Sequence, residues 1–286
     1  MARIVIHRFG DVKEGFVEEV LEIVNDCYDR LGAHDVEIVD LCIFDRSSLM
    51  NAFVSEEKRR LGIGTSAFEG SFFALHDAWR GTPRIMVACD KMSTLPRLVG
   101  VGGLRHEVAH TVLHGSLEYY SFPMPASLLK LGDEGIMTRQ VMGDLLYLAA
   151  IAVKDFEVTR LLREKGCLED QVAYVKHFLE PSEDEREAWK LSENNRTARL
   201  LVLVSLLKTP TCAASLLKDE RYREEIAENI AGSVSFLPTG LSARVLNILK
   251  VASKFGEDTH ENVDLLMKKI IDELVVEERY LDTREN

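Results

Sequence analysis

The stretch GVGGLRHEVAHTVLHG, residues 100–115, governs how this sequence is interpreted. It places His106, Glu107 and His110 in the order H-E-x-x-H, and a further histidine, His114, follows. Residues four apart on an α-helix differ by about 40° around the axis and about 6 Å along it, so His106 and His110 project from one face. Glu107 lies about 60° from His110 on the same side. The stretch therefore predicts a helix with two imidazoles and a carboxylate on one face.

Two imidazoles at this spacing can share a zinc ion. Zn²⁺ lowers the pKa of a coordinated water to roughly 7, and a neighbouring carboxylate, here Glu107, can accept the proton of that water. We expect His106 and His110 to bind Zn²⁺ and to face a cleft, because the apolar residues of this helix lie on the opposite face. His114 lies about 12 Å from His106 along the axis, so we expect a helix-end or supporting role for it. The apolar residues are Val101, Leu104, Val108, Thr111 and Val112.

The third ligand must come from another element, since a catalytic zinc normally has three protein ligands and one open position. The long apolar segment 143–166 offers Asp155 and Glu157, which lie about 200° apart on a helix. Asp155 falls in the apolar face, where a carboxylate is costly unless a cation or hydrogen bonds compensate it. Asp155 is therefore the predicted third ligand. Glu157 instead falls among charged residues, which indicates a solvated face; these are Lys154, Arg160 and Glu164.

Two alternatives remain open for this segment. Asp155 can orient one histidine by accepting a hydrogen bond from its ring N–H instead of binding the metal. A rotated or broken helix would instead bring Glu157 to the metal. Asp144 also falls on the apolar face, but its place near the helix start favours a capping role.

The composition describes a globular protein with an acidic surface. The chain has 286 residues, 46% of them hydrophobic, and a formal net charge of −12. A surface of this sign repels phosphate backbones and anionic lipids, so we expect no nucleic-acid partner and no membrane partner. The five cysteines form no C-x-x-C pair, the N-terminus lacks a signal-peptide pattern, and no apolar run approaches the roughly 18 residues that span a bilayer. We therefore predict a cytoplasmic protein with reduced thiols.

Strand and helix patterns alternate in the first ninety residues and give way to helices after residue 97. The charged stretch EPSEDERE (180–187) is the best linker candidate. The predicted fold class is α+β, with an α+β metal-binding domain over residues 1–180 and an α-helical region over residues 181–286. We predict strands at 3–9, 36–44, 66–75 and 84–89, a turn at 77–83, and helices at 12–31, 47–61, 98–114, 142–165, 168–179, 193–207, 211–230, 239–254 and 260–278.

Two motifs together resemble the zincin metallopeptidases, particularly the gluzincin-like ImmA/IrrE and M48 types. HEVAHTVLH (106–114) resembles their active-site helix, and KDFEVTRLL (154–162) is similar to the second helix, which supplies the third ligand. The resemblance puts Asp155 at the ligand position, where the family has glutamate, and Thr159 where it has Asp or Asn. It implies a zincin-like domain, with a small mixed sheet plus active-site helices. It also implies that RIMVAC (84–89) is an edge strand that receives an extended substrate, and an interior strand is an equal alternative.

These features lead us to expect a zinc-dependent metallopeptidase that hydrolyses peptide bonds with a Glu-activated, metal-bound water. His106, His110 and Asp155 would hold Zn²⁺, and Glu107 would take the proton of the water and deliver it to the leaving amine. The substrate would be a peptide or a protein, and the sequence predicts no particular oligomeric state. The alternatives are a non-catalytic zincin-like metal-binding module that acts as an interaction scaffold, and a metal-free helical adaptor. An oxyanion donor is also expected, and the candidates are Tyr119, Tyr120, Tyr147 and His114.

Overall fold

A small mixed β-sheet and a large set of helices make up the protein, so the α+β prediction is confirmed. The computed structural model describes residues 2–62 and 72–276. The strands are β1 (Arg3–Phe9), β2 (Ile38–Phe44), β3 (Ala74–Asp77) and β4 (Arg84–Ala88). The helices are α1 (Glu14–Leu31), α2 (Ser47–Leu61), α3 (Cys89–Met92), α4 (Arg97–Leu113), α5 (Ala126–Asp133), α6 (Arg139–Glu164), α7 (Leu168–Leu179), α8 (Glu183–Leu191), α9 (Arg196–Ser205), α10 (Lys208–Ala214), α11 (Arg223–Ser233), α12 (Thr239–Leu249) and α13 (Thr259–Ile271). Short 3₁₀ helices lie at Leu117–Tyr120, Ser215–Lys218 and Lys250–Lys254, and a π-helix lies at Asp272–Val276.

The described strands have the order β1-β2-β4-β3. Strand β2 pairs in parallel with both β1 and β4, whereas β3 runs antiparallel to β4. Strand β4 lies between β2 and β3, so of the two alternatives for residues 84–89 the interior strand is confirmed and the edge strand is wrong. All five residues of β4 are buried, as is typical of an apolar strand that is covered on both faces. Strand β3 forms this edge of the described sheet.

The hairpin between β3 and β4 is close to the predicted one. Gly81 donates its N–H to the Ala78 carbonyl at 2.8 Å and has a positive φ of 82°, so a turn lies within residues 77–83 as predicted. The strand predicted at 66–75 lies mostly outside the described residues, and β3 begins at Ala74.

Helix α2 covers one face of the sheet, and α4 lies against the other. The ring of Phe9 in β1 stacks on Phe44 in β2, with centroids 4.4 Å apart. Successive strand residues point to opposite faces of the sheet. The strand residues that point away from α2 pack on the side where α4 contacts β3 and β4. The H-E-x-x-H stretch therefore lies directly against the sheet. The core on the α2 face consists of Cys42, Phe44, Met50, Val54, Met86 and Ala88, and the alternate residues Leu41, Ile43, Ile85 and Val87 are fully buried.

The chain forms two compact units that alternate along the sequence. Residues 1–121 and 160–174 form the first unit, which holds the sheet, and residues 122–159 and 175–286 form the second. The described part of the second unit contains helices as its regular elements. A compact unit need not fold on its own, so the predicted domains over residues 1–180 and 181–286 stay a prediction.

The predicted helices at 12–31, 47–61, 98–114 and 168–179 are confirmed with small shifts at their ends. The stretch 180–187 was predicted as a linker, but α8 begins within it at Glu183. The Ser182 hydroxyl accepts a hydrogen bond from the Glu185 N–H, and the Glu185 carboxylate accepts one from the Ser182 N–H. This capping box explains the acidic run as the solvated first turn of a helix.

One apolar segment is long enough to span a bilayer, contrary to the prediction from the sequence. The segment Arg196–Lys218 has a mean hydropathy of 1.8 and is long enough to cross a bilayer, but 61% of its apolar window is buried inside the protein. It is also divided into α9, α10 and a 3₁₀ helix, whereas a segment in lipid must satisfy its backbone hydrogen bonds internally. These are the properties of a core helix in a soluble protein.

A buried ion cluster joins α2 to the β3–β4 hairpin. The Arg84 guanidinium donates two hydrogen bonds to the Asp77 carboxylate, at 3.0 and 2.7 Å, and pairs with Glu57 at 2.5 Å. All three side chains are almost fully buried. Burial raises the pKa of Asp77, and the charge and hydrogen bonds of Arg84 oppose that rise. Arg84 therefore supplies the charge that keeps Asp77 ionised inside the protein.

We expect Arg84→Leu to lower the free energy of unfolding by about 3–5 kcal/mol, because a broken buried ion pair leaves an uncompensated charge. Urea denaturation followed by circular dichroism measures this change. Arg59→Leu is the matched control, since Arg59 pairs with Glu56 at the surface and its loss should leave the midpoint unchanged. Equal midpoints for Arg84→Leu and the wild type would contradict a stabilising role for this cluster.

Candidate metal centre

Helix α4 carries the H-E-x-x-H residues, and close packing fixes it within the first unit. An added Cβ on Gly102 or on Gly103 would lie 2.9 Å from side-chain atoms of Tyr174, so neither position has room for a larger residue. The Gln171 amide donates a hydrogen bond to the Gly102 carbonyl at 2.9 Å. On another side of α4, the Tyr28 and Thr111 hydroxyls are hydrogen-bonded at 2.7 Å. These contacts hold α4 against α7 and α1, and they explain the glycines that precede the motif.

The two motif histidines face each other. Their Nε2 atoms are 3.2 Å apart, and the planes of the His106 and His110 rings differ by 76°. Only 2% of His106 and 7% of His110 is exposed, because the neighbouring elements cover α4 on most of its sides. Both histidines are therefore buried, and the expectation that they face a cleft stays a prediction.

His106, His110 and Asp155 form a group that could hold a metal ion. The candidate ligand atoms of His106, His110 and Asp155 all lie within 4.8 Å of one another, and all three side chains are buried. Asp155 belongs to α6 (Arg139–Glu164) and lies in the second unit. These are the three residues that the sequence singled out, and their role as zinc ligands stays a prediction.

The chemical types of the three donors suit a zinc ion. Zn²⁺ prefers imidazole nitrogen, thiolate and carboxylate oxygen, in a tetrahedron with bonds of about 2.0–2.2 Å to nitrogen and oxygen. Two ligands in that geometry lie about 3.3 Å apart, close to the 3.2 Å between the two Nε2 atoms. Three protein donors also leave one coordination position open, as in catalytic zinc sites. The donor set and the histidine spacing therefore both suit Zn²⁺.

The Asp155 carboxylate also has a cationic neighbour within the second unit. The Nζ atom of Lys208, the first residue of α10, lies 3.7 Å from Asp155 Oδ2. Desolvation lowers the pKa of the adjacent Lys154 to about 8, and the negative charges of Asp155 and Glu157 limit this decrease. The ammonium of Lys208 compensates part of the Asp155 charge, so a metal ion must compete with Lys208 for this carboxylate.

Glu157 is not on the solvated face that the periodicity indicated. Its side chain is 4% exposed, and its carboxylate accepts hydrogen bonds from the Thr259 hydroxyl at 2.8 Å and the Asn262 amide at 2.6 Å. Both partners belong to α13, so Glu157 joins α6 to α13 within the second unit. A helical period cannot show that a distant helix will cover a polar face. Among the described residues, the group of possible metal ligands contains Asp155 and not Glu157.

Two further residues of α6 have structural partners. The Thr159 hydroxyl lies 3.0 Å from the Cys212 thiol, and both are buried. Burial raises the pKa of Cys212 to about 12, so this thiol is protonated at neutral pH. The capping role expected for Asp144 is wrong, because α6 begins at Arg139 and Asp144 accepts a hydrogen bond from the Gln140 amide at 3.0 Å.

The sequence reading missed His76 of β3, whose ring stacks on His110 with centroids 5.2 Å apart. Tyr120 lies next to this pair, 6.4 Å from His76. Burial raises the pKa of the Tyr120 phenol, and the charges of Asp77 and Glu107 raise it further. The Tyr120 hydroxyl is therefore protonated at neutral pH and can donate a hydrogen bond. No sequence signal pointed to His76, because its position depends on how the β3–β4 hairpin packs on α4.

The other oxyanion candidates lie in different surroundings. The Tyr119 ring meets the His114 ring edge-on, with centroids 5.0 Å apart. Tyr147 of α6 is 43% exposed. His114 is buried beside His110. Of the four candidates, Tyr120 combines a partly buried phenol with the electrostatic influence of Glu107.

Comparisons of the chain with protein families, with curated proteins and with solved structures find no match. The functional interpretation therefore depends on the geometry of the site.

We expect the wild-type chain to bind one zinc ion and Asp155→Asn to bind it at least about 100-fold more weakly, a larger loss than outer-shell changes usually cause. Glu157→Gln is the matched control on the same helix, since its partners are in α13, and its zinc affinity should equal that of the wild type. Competition with a chromophoric chelator measures both affinities. A weaker affinity for Glu157→Gln together with an unchanged one for Asp155→Asn would reassign the third ligand.

Lys208→Met should strengthen zinc binding, because it removes the ammonium that competes for Asp155 while it keeps an aliphatic side chain of similar length. We expect a several-fold gain in affinity, the size of a partly exposed ion pair. Lys218→Met, in the 3₁₀ helix that follows α10, is the control for loss of a positive charge. An affinity that falls in Lys208→Met would mean that Lys208 supports the metal site.

Proposed function

We propose that this protein is a zinc-dependent metallopeptidase with a zincin-like domain. His106, His110 and Asp155 would hold Zn²⁺, and Glu107 would act as the general base. One observation carries the proposal: two imidazoles of an H-E-x-x-H helix and a carboxylate of a second helix have their donor atoms within 4.8 Å of one another. A site with only a structural task has no need of a carboxylate such as Glu107 beside the metal, and such sites usually close with four protein ligands.

The chain supplies the acid–base groups that peptide hydrolysis requires. A bound zinc ion would contribute Lewis acidity, which activates water and polarises the scissile carbonyl. Glu107 follows His106 in α4 and is partly exposed, so it can accept the proton of the attacking water and pass it to the leaving amine. The Tyr120 hydroxyl can donate a hydrogen bond to the oxygen on which negative charge develops. The substrate would be a peptide or a protein, cleaved in the cytoplasm.

The arrangement of the sheet supports the zincin-like part of the proposal. A small mixed sheet with an antiparallel edge strand, β3, precedes the motif helix, and a second helix supplies the third donor. An edge strand of this kind offers backbone groups that an extended peptide can pair with. Within the described sheet that role falls to β3 and not to β4.

The second candidate is a non-catalytic zincin-like module that serves as an interaction scaffold. The burial of both histidines favours it, since buried ligands are harder for a peptide to approach. The ion pair between Lys208 and Asp155 also favours it, because this pair compensates the carboxylate even without a metal. The presence of Glu107 favours the peptidase.

We expect Glu107→Gln to retain zinc and to lower kcat by about 10²–10⁴-fold, because the amide cannot accept the proton of the attacking water. The variant is nearly isosteric, so its fold and its zinc content should match those of the wild type. Cleavage of a fluorogenic peptide library measures turnover, and elemental analysis of the same samples measures zinc.

His106→Ala and a chelator-treated wild type are the controls for this experiment. Both should lose zinc and turnover together, and added Zn²⁺ should restore the treated wild type alone. Turnover of Glu107→Gln at the wild-type rate would show that Glu107 is not the base. A zinc-loaded wild type that cleaves no peptide of the library would favour the scaffold.

A further inference from the structure

His114 lies next to the proposed metal centre without belonging to the group of possible ligands. It follows the last residue of α4, with a φ of −130° and a ψ of 23° that leave the helix. Its backbone N–H donates to the His110 carbonyl at 2.7 Å, and its Nδ1 atom lies 3.1 Å from His110 Nδ1. The ring is 1% exposed and meets Tyr119 edge-on. His114 is therefore fixed against the outer nitrogen of His110.

The chain after His114 keeps this ring in place. An added Cβ on Gly115 would overlap the Thr111 carbonyl and lie 3.0 Å from Pro83, so the backbone passes through a gap that admits only glycine. His110 itself is held by rings on several sides, since His76 stacks on it and His106 meets it nearly at right angles. The short distance between the two Nδ1 atoms is thus a consequence of packing.

We infer that His114 is the positioning residue of the metal centre, because it fixes the tautomer of His110. This inference rests on the proposed function. A neutral imidazole carries one N–H, so a His110 ring that binds zinc through Nε2 has its proton on Nδ1. That Nδ1–H donates to His114 Nδ1, which then acts as the acceptor and leaves the His114 proton on Nε2. Metal-binding histidines nearly always donate their second N–H to a carboxylate, a carbonyl or water, and here an imidazole takes this part.

The bond between the two rings has two consequences. It points the lone pair of His110 Nε2 toward His106 Nε2, 3.2 Å away, which is where the metal would bind. It also makes His110 a stronger ligand, because a hydrogen-bond acceptor on Nδ1 increases the basicity of Nε2. Loss of the acceptor should therefore reduce zinc affinity while the fold stays intact.

Zinc affinity of full-length variants tests the role of His114. His114→Phe keeps an aromatic ring against Tyr119 but removes the acceptor, and it should bind zinc about 10–100-fold more weakly. His114→Asn places an amide oxygen near the same point and should restore affinity to within about threefold of the wild type. His177→Phe, at an exposed position of α7, is the control for loss of a histidine and should leave the affinity unchanged. Thermal melting of the metal-free variants checks that each one folds.

Nitrogen NMR of the zinc-loaded wild type with ¹⁵N-labelled histidine gives an independent readout. The inference requires a protonated Nδ1 on His110 and an unprotonated Nδ1 on His114. The opposite tautomers would overturn it, and so would a His114→Phe variant that folds and binds zinc as tightly as the wild type. A wild type that binds no zinc would instead overturn the metal centre itself, so the two failures are distinguishable.

Discussion

An ionised carboxylate in the apolar face of a helix needs a cation or hydrogen bonds to compensate its charge, and the candidate site depends on this constraint. Asp155 is 8% exposed, and an ionised group at such a position is costly unless a cation or hydrogen bonds compensate it. The Lys208 ammonium at 3.7 Å compensates part of the charge. A divalent ion held by Asp155 and both imidazoles would compensate the carboxylate more fully and would also occupy the two nitrogen lone pairs. Lys208 and a bound zinc ion would therefore compete for one group.

The histidine pair depends on how tightly α4 is packed. Gly102 and Gly103 allow α7 to approach closely, and the hydrogen bond between Tyr28 and Thr111 fixes the other side of the helix. The ion cluster around Arg84 holds the β3–β4 hairpin, which carries His76 to the face of His110. A metal site needs its ligands within about 0.5 Å of the right geometry, and such precision comes from supporting contacts of this kind.

Burial of the two histidines has opposite effects on the two proposed functions. A low-dielectric interior strengthens the interactions between Glu107, Tyr120 and any bound charge, which favours catalysis. The same burial restricts the approach of a peptide, which favours the scaffold. Glu107 is partly exposed, whereas His106 is 2% exposed, so the base lies nearer to solvent than the proposed ligands do.

Periodicity within single segments determined much of this protein. It predicted α4 and the facing of His106 and His110, because residue spacing fixes the angle of each side chain around its own helix axis. The choice of Asp155 over Glu157 as the third ligand stays a prediction. Only the tertiary structure decided that Glu157 is buried against α13, that β4 is an interior strand, and that His76 and His114 contact His110. The physical reason is that the angle of a side chain around its own helix axis does not determine which other element packs over that side chain. That depends on packing between residues that are distant along the chain.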